Sequence, residues 1–240
     1  MRIEHLSIKT ATVAIFVMIG IVAIILSLLA GAYFRKSALD AQMSSLSRVL
    51  EVATQEMQQR IRERSYDLGM KLAHSEKIVL AFTEAVKSGS DGQLVALLDD
   101  PFISGFVGFS AINLVKLRVY NPELTLVGQS SVGIQDIGPQ LPPYLADSIA
   151  NRPRQDRLKG IDALWLSPDG PLFSVVIPLG GLRPVGYLEV IIDPVFNLPD
   201  IGRITQTPVS VYSMSGERIA GAANQHAGIH LPVEYVLHTS

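Results

Sequence analysis

No cysteine occurs in the 240-residue chain, which removes disulfides, thiolate catalysis and cysteine-based zinc sites together. Charge of either sign is scarce at 18% of residues, against about a quarter in ordinary soluble domains. With 20 basic and 22 acidic side chains there is no positive field to gather a polyanion, so no nucleic-acid partner is expected. No glycine-rich loop ends in Gly-Lys-Ser or Gly-Lys-Thr, and no His-Glu-x-x-His pair exists. Ser110 and Ser130 follow glycines but lack the closing glycine of a nucleophile elbow, so both read as turn or strand-end serines. His226 and His230 are four apart, yet Gly221, Gly228 and Pro232 argue against a helix that would put them on one face; they read as loop histidines. Asp99 and Asp100 read as a helix terminus rather than an acid/base pair. No enzyme, metal site or cofactor is therefore expected in this segment.

What is present is concentrated apolarity. Residues 10–34 carry no charge and lie between Lys9 and the Arg35-Lys36 pair. At about 1.5 Å per residue such a helix exceeds the roughly 30 Å hydrocarbon core of a bilayer. Tyr33 and Phe34 stand where interfacial aromatics belong. The preferred reading is a transmembrane anchor. A cleaved signal peptide competes, because Ala30-Gly31-Ala32 supplies small residues, but the apolar run is longer than such peptides use. A buried soluble helix is the third reading, opposed by apolarity around the whole circumference. Arg2 and Lys9 on one side balance Arg35, Lys36 and Arg48 on the other, so flanking charge does not orient the span. No later stretch holds 18 uncharged apolar residues, so a complete chain is expected to cross once; the N-terminus is placed inside because a long following domain can be translocated with little regard to nearby charge.

Beyond Arg35 the helical period runs without proline or glycine until Gly69. Leu39, Met43, Leu46, Leu50, Ala53 and Met57 recur at alternating spacings of four and three, the seam of a coiled coil and a candidate homodimer surface. Arg60 and Arg64 then fall on that seam while Ile61, Leu68 and Leu72 continue a shifted one, as a stutter produces. Packing of the same stripe on the chain's own domain is the alternative. A second helix is expected over residues 76–87, ended by Ser88-Gly89. A third, capped by Asp91, is expected to stop after Leu98 at Asp99-Asp100-Pro101.

From Asn113 the period becomes two. Val115, Leu117 and Val119 alternate with Lys116, Arg118 and Tyr120, and Asn121-Pro122-Glu123 turns the chain into a strand over residues 124–127. A short helix is expected over 144–150, then strands over 161–166, 172–177 and 185–192, whose near-continuous apolar runs suggest central positions. Asp193-Pro194 ends the last of these and starts a short helix. A final hairpin pairs 209–212 with 218–221, echoing the first as a repeat or as the common grammar of hairpins, and Gly228 and Ile229 begin another strand approach.

This order, with Arg118-Val119-Tyr120 in a hairpin, Phe173-Ser174-Val175-Val176-Ile177-Pro178-Leu179 in one strand and Gly186-Tyr187-Leu188-Glu189-Val190-Ile191-Ile192-Asp193-Pro194 in the next, resembles the extracytoplasmic Cache domains, PAS-like sensors of bacterial transmembrane receptors. The strand pair followed by Phe196-Asn197-Leu198 is most similar to inputs of cyclic-di-GMP cyclase and phosphodiesterase proteins. The resemblance implies an α+β fold: one transmembrane helix continuing into a juxtamembrane helix, then an antiparallel PAS-like sheet with flanking helices. It divides the chain into a tail (1–9), a span (10–34), a signalling helix (35–73) and a sensor domain (74–240) cut short at its end. It implies a bacterial inner-membrane location with the sensor in the periplasm, a small-molecule ligand, a homodimer and a cytoplasmic output module or partner. Family members carry a second span and an output module, so the chain is expected to be a fragment or a stub acting through a partner. Amino-acid recognition is not expected, because Trp165 lacks the arginine two residues before it that this branch of the family uses. A bitopic scaffold that uses only its coiled-coil seam is the rival. Side chains able to orient a ligand between sheet and loops are Arg118, Tyr120, Arg157, Trp165, Tyr187 and Asp193. Each also has a structural reading: core for Trp165 and Tyr187, strand-edge charge for Arg118 and Arg157, helix cap for Asp193.

Overall fold

A computed structural model describes residues 8–103, 112–134, 137–168, 170–205, 209–212, 216 and 218–221 of the chain. The histidine pair and the closing strand approach lie outside the described residues. Helix α1 runs unbroken over Ile8–Ala73. Its N-terminal part is long and apolar enough to cross a membrane, and its side chains face outward on every side, from Val22 at 48% exposed to Phe16 and Leu28 at 70%. Leaving that much hydrocarbon uncovered in water is unfavourable by roughly 25 cal/mol per Å². Contacts divide the chain within α1 into two compact units, Met1–Leu50 and Glu51–Ser240.

In the second unit the last turns of α1 bury Ile61, Ser65, Leu68 and Ala73. The helix passes through Gly69. A helix-interior glycine costs about 0.5–1 kcal/mol relative to alanine, so its presence needs a reason. A Cβ at Gly69 would lie 2.4 Å from Ile177 Cδ1 and 3.2 Å from Val190 Cγ2. Glycine here lets α1 pack directly on the Ile177 and Val190 side chains.

Helix α2 (Glu76–Ser88) ends at Gly89, whose φ of 70° and N–H bond to Ala85 O form a left-handed cap. Helix α3 spans Gly92–Ile103 and continues through Pro101, correcting the expected stop after Leu98. The carboxylate of Asp99 does not terminate the helix; it accepts from Ser131 N (2.7 Å), Ser131 Oγ and Val132 N (3.2 Å) across the fold. Pro101, two residues from the end, deletes only one bond of the last turn.

Strands β1 (Asn113–Tyr120), β2 (Leu126–Gln129), β3 (Ile161–Ser167), β4 (Gly170–Leu179) and β5 (Gly186–Asp193) form one antiparallel sheet in the order β2-β1-β5-β4-β3. Between β2 and β3 lie α4 (Pro143–Ala150) and a 3-10 turn, Arg154–Asp156. After β5 come a second 3-10 turn, Pro194–Asn197, the short α5 (Leu198–Thr205), and a separate hairpin of β6 (Ser210–Tyr212) and β7 (Arg218–Gly221). β2 begins at Leu126 rather than residue 124, because Leu124 is held in the turn at φ 61°. There Leu124 N donates to Asn121 O, while Thr125 N donates to Asn121 Oδ1.

The two sheet faces differ. Leu117, Val119, Val175, Ile177, Leu188 and Val190 join the buried residues of α1, α2 and α3 in the main core. The opposite face carries Tyr120 and Val176 under Leu141 and Leu145 of the α4 segment, and Ile191 and Leu172 beside Trp165. α1 is also tied to edge strand β3: Arg62 Nε and Nη2 donate to Asp162 Oδ2 at 3.0 and 2.7 Å, and Tyr66 Oη donates to Asp162 Oδ1 at 3.4 Å. Burial first, then the charge of Asp162 and its hydrogen bond, push the Tyr66 phenol up to about 12.

Two outcomes follow from this packing. Gly69→Val forces a branched side chain into β4 and β5, and the chain reconstituted in nanodiscs should lose about 1–3 kcal/mol in denaturant unfolding; an unchanged midpoint would refute the close approach. Because the folded-state pKa of Tyr66 is raised above its unfolded value, its contribution is complete below pH about 10 and lost as pH rises toward 12. Tyrosinate absorbance should show the Tyr66 phenol titrating late and moving earlier in Asp162→Asn.

Candidate functional site

The alternation of β1 that sends Leu117 and Val119 to the helices sends Lys116, Arg118 and Tyr120 to the other face. β1 and β5 pair in a register that sets Arg118 opposite Glu189 and Tyr120 opposite Tyr187. Arg118, Tyr120 and Glu189 are all fully buried. Arg118 Nε donates to Glu189 Oε2 at 2.8 Å, Tyr120 Oη donates to the same oxygen at 3.0 Å, and Arg118 Nη1 donates to Gly138 O. The guanidinium carbon also lies 5.6 Å from the centre of the Tyr120 ring, within cation–π range. Burial, together with the negative charge of Glu189, raises the Tyr120 phenol far above its ordinary range, so it stays protonated and donates.

One carboxylate oxygen therefore receives the arginine and the tyrosine, and the other receives nothing. Glu189 Oε1 has no hydrogen-bond partner among the described residues. Arg118 Nη2 lies 2.8 Å from Oε2 but off the line a hydrogen bond requires, and it too lacks an aligned acceptor. Lys116 Nζ, on a side chain 1% exposed, has none either. Burial pushes the Lys116 ammonium below the usual lysine range; the Asp99 carboxylate opposes that and the charge of Arg118 adds to it. Buried polar groups left unmade cost about 1–3 kcal/mol each, more when charged. Three such groups lie on one sheet face, and each calls for an explanation.

Arg118 and Tyr120 lie at the centre of this surface, and Tyr187 stands beside them, half-buried against Tyr120 and the α4 segment. Trp165 lies on the same face toward its β3 edge, where its Nε1 donates to Ser174 Oγ at 2.8 Å. Two candidates lie elsewhere. Arg157 is exposed beyond the 3-10 turn. Asp193 closes β5, where its carboxylate accepts from Val195 N at 2.8 Å and caps the following turn. Glu189 and Lys116 were missed. The signal for Glu189 was a lone acid inside the apolar run 187–192, which only a buried cationic partner explains. A shallow cleft of about 360 Å³ lies apart from this surface, lined by Ala85, Val86, Gly89, Asp91, Asn121 and Val127. It contains none of the unpaired buried groups, so the Arg118 surface is the better candidate.

No family model and no curated protein matches the chain. Among solved structures it is similar to the ligand-binding domain of a Campylobacter jejuni chemoreceptor in complex with 4-methylisoleucine, at 9% identity and a TM-score of 0.44, covering 76% of this chain and 70% of that one. It is also similar to the ligand-binding domain of a Pseudomonas aeruginosa amino-acid chemoreceptor in complex with GABA, at 11% identity and 0.40, covering 75% of each. A third is a domain of a sensory box/GGDEF family protein from Vibrio parahaemolyticus, at 12% identity and 0.38, covering 72% of this chain and 67% of that one.

Arg118→Met should destabilise the domain by about 3–5 kcal/mol, because it strands Glu189 as an uncompensated buried charge. The double variant Arg118→Met/Glu189→Leu should recover most of that loss. Thermal unfolding of both in nanodiscs decides; equal destabilisation would mean the two groups are not coupled.

Proposed function

We propose that the chain is the extracytoplasmic signal-input module of a bacterial transmembrane receptor and is not itself an enzyme. A small molecule engages the Arg118, Tyr120 and Glu189 face, and α1 carries the resulting shift across the inner membrane to a cytoplasmic output module such as a diguanylate cyclase, phosphodiesterase or histidine kinase. The observation that carries this reading is the set of buried, unpartnered polar atoms on one sheet face, in a chain whose span and following helix are one element. A ligand moves such an equilibrium only through a difference in affinity for its two states. Partners for Glu189 Oε1, Arg118 Nη2 and Lys116 Nζ can supply that difference. Homodimerisation along Leu39, Met43, Leu46, Leu50, Ala53 and Met57 belongs to the same proposal, since paired helices convert a small displacement into a change of seam. The bitopic scaffold stays in play because Leu39 and Leu46 are 55% and 43% exposed and a partner coil could cover them.

The absence of cysteine gives a clean background for the test. Single cysteines replacing Leu39, Met43, Leu46 or Leu50 should cross-link in membranes more readily than those replacing Ala41 or Arg48 on the opposite face of the period, and a metabolite that raises the melting temperature should alter that pattern. Cross-linking that no stabilising metabolite changes, in a chain that binds a tight protein partner, would move the reading to the scaffold.

A further inference from the structure

Helix α1 meets the sheet through two contacts of different character. At its C-terminal end the contact is aliphatic and close. Leu68 and Ala73 are buried in the main core, Gly69 packs on Ile177 and Val190, and Gly180 N of the connection between β4 and β5 donates to Ala73 O at 3.3 Å. In the preceding turns the contact is polar. Asp162 of edge strand β3 holds Arg62 through Nε and Nη2 and Tyr66 through Oη. The Tyr66 ring lies against Gly160, where any Cβ would collide with Tyr66 Cε1. Gly160 is not in the left-handed region, so this glycine serves as a seat for the ring and not as a turn. Arg152 fixes the approach to that seat, its Nη1 donating to Lys159 O at 2.6 Å, and β3 pairs with β4 from Ile161 to Ser167. The β3 half of the clasp is thus held by its own loop and strand, and the half free to move is α1.

The two contacts yield differently. An ion pair in which Arg62 is 61% exposed and Asp162 15% exchanges its partners for water at little cost. The packing at Gly69 does not. A slide of one helical turn would bring Ser65 or Ala73 into the place of Gly69, and either carries a Cβ that the place excludes. Ile177 and Val190 are 1% and 0% exposed, so they have no free space into which to retreat. Ile61, buried near the clasp, makes aliphatic contacts that have no preferred direction, so a sideways swing is resisted less there than at Gly69. We infer that the Asp162 clasp is a releasable latch and that, when it opens, α1 swings across the sheet about Gly69 instead of sliding along it. This inference rests on the sensor reading and deepens it by naming the contact at which α1 changes state.

The absence of cysteine lets pairs of spin labels be placed in the full chain, diluted with unlabelled chain in nanodiscs. Labels on Gln58 and Leu166 report the latched end and labels on Met70 and Leu182 the pivot; all four side chains are exposed. From Gln58 to Gly69 the helix is a lever of about 16 Å, so a swing of about 10° displaces Gln58 by about 3 Å. Asp162→Asn and Arg62→Gln should each lengthen the distance from Gln58 to Leu166 on that scale and leave that from Met70 to Leu182 unchanged. Gly160→Ala, which unseats the ring and spares the ion pair, should open the same end and bring the Tyr66 phenol down from about 12 in tyrosinate absorbance. Leu164→Ala, on the same face of β3 but outside the clasp, should alter neither distance. Unchanged distances in both Asp162→Asn and Arg62→Gln would overturn the inference, because the clasp would then hold nothing. Equal movement of the two label pairs would overturn it as well, because the helix would then slide or lift as a whole. A metabolite that alters cross-linking along the seam while the clasp stays closed would overturn the latch and leave the sensor reading intact. A clasp that opens in the variants, while no stabilising metabolite changes either clasp or seam, would uphold the latch and remove the sensor reading.

Discussion

The ion pair between Arg118 and Glu189 lies within the sheet and fixes the relation of β1 to the middle strand, β5. Both side chains are fully buried, and Glu189 is the one charge within the run 187–192. In the observed register they meet, and Tyr120 joins them. A slip of one residue between β1 and β5 would turn Glu189 toward the helices, where the core is aliphatic, and leave Arg118 facing an apolar partner. Each half of the pair therefore makes every register but one costly. A hydrophobic pair would stabilise the same sheet at least as well and specify its register less.

That register sorts the rest of the domain. With Arg118 on the outer face, Leu117 and Val119 must face α1, α2 and α3, and they lie with Ile177 and Val190 in the main core. Gly69 completes this face by letting α1 settle onto Ile177 and Val190. On the other face α4 and its flanking segment cover Tyr120 and Val176 with Leu141 and Leu145, while Gly138 O accepts from Arg118. One face is thus made of side chains that need only each other. The other retains polar atoms without a hydrogen-bond partner among the described residues.

Much of this was legible in the sequence, because period is a local property. The change from spacings of three and four to spacings of two at Asn113 located the sheet, and the turn residues at Ser88-Gly89 and Asn121-Pro122 located the breaks. Where local signals misled, a contact from elsewhere had prevailed. Asp99-Asp100-Pro101 looks like a helix end, yet Asp99 is committed to Ser131 and Val132. The candidate surface shows the same limit. Arg118 and Tyr120 stand out by alternation within one strand, whereas Glu189 acquires its meaning only from β1 lying beside β5, a pairing across about seventy residues that no local pattern encodes.

Coupling between that surface and α1 needs a rigid path, and the sheet supplies one. Glu189 is paired through β5 to Val176 of β4, and Val176 to Ile161 of β3. The next residue, Asp162, holds Arg62 and Tyr66 of α1. The contact there is charged and partly exposed, a kind of interaction that can be remade one step along without unfolding anything. The aliphatic packing around Gly69 tolerates no comparable slide, because its clearance is already closed. Motion of α1 against the sheet is therefore expected to pivot near Gly69 and to be expressed at the Arg62 and Tyr66 end.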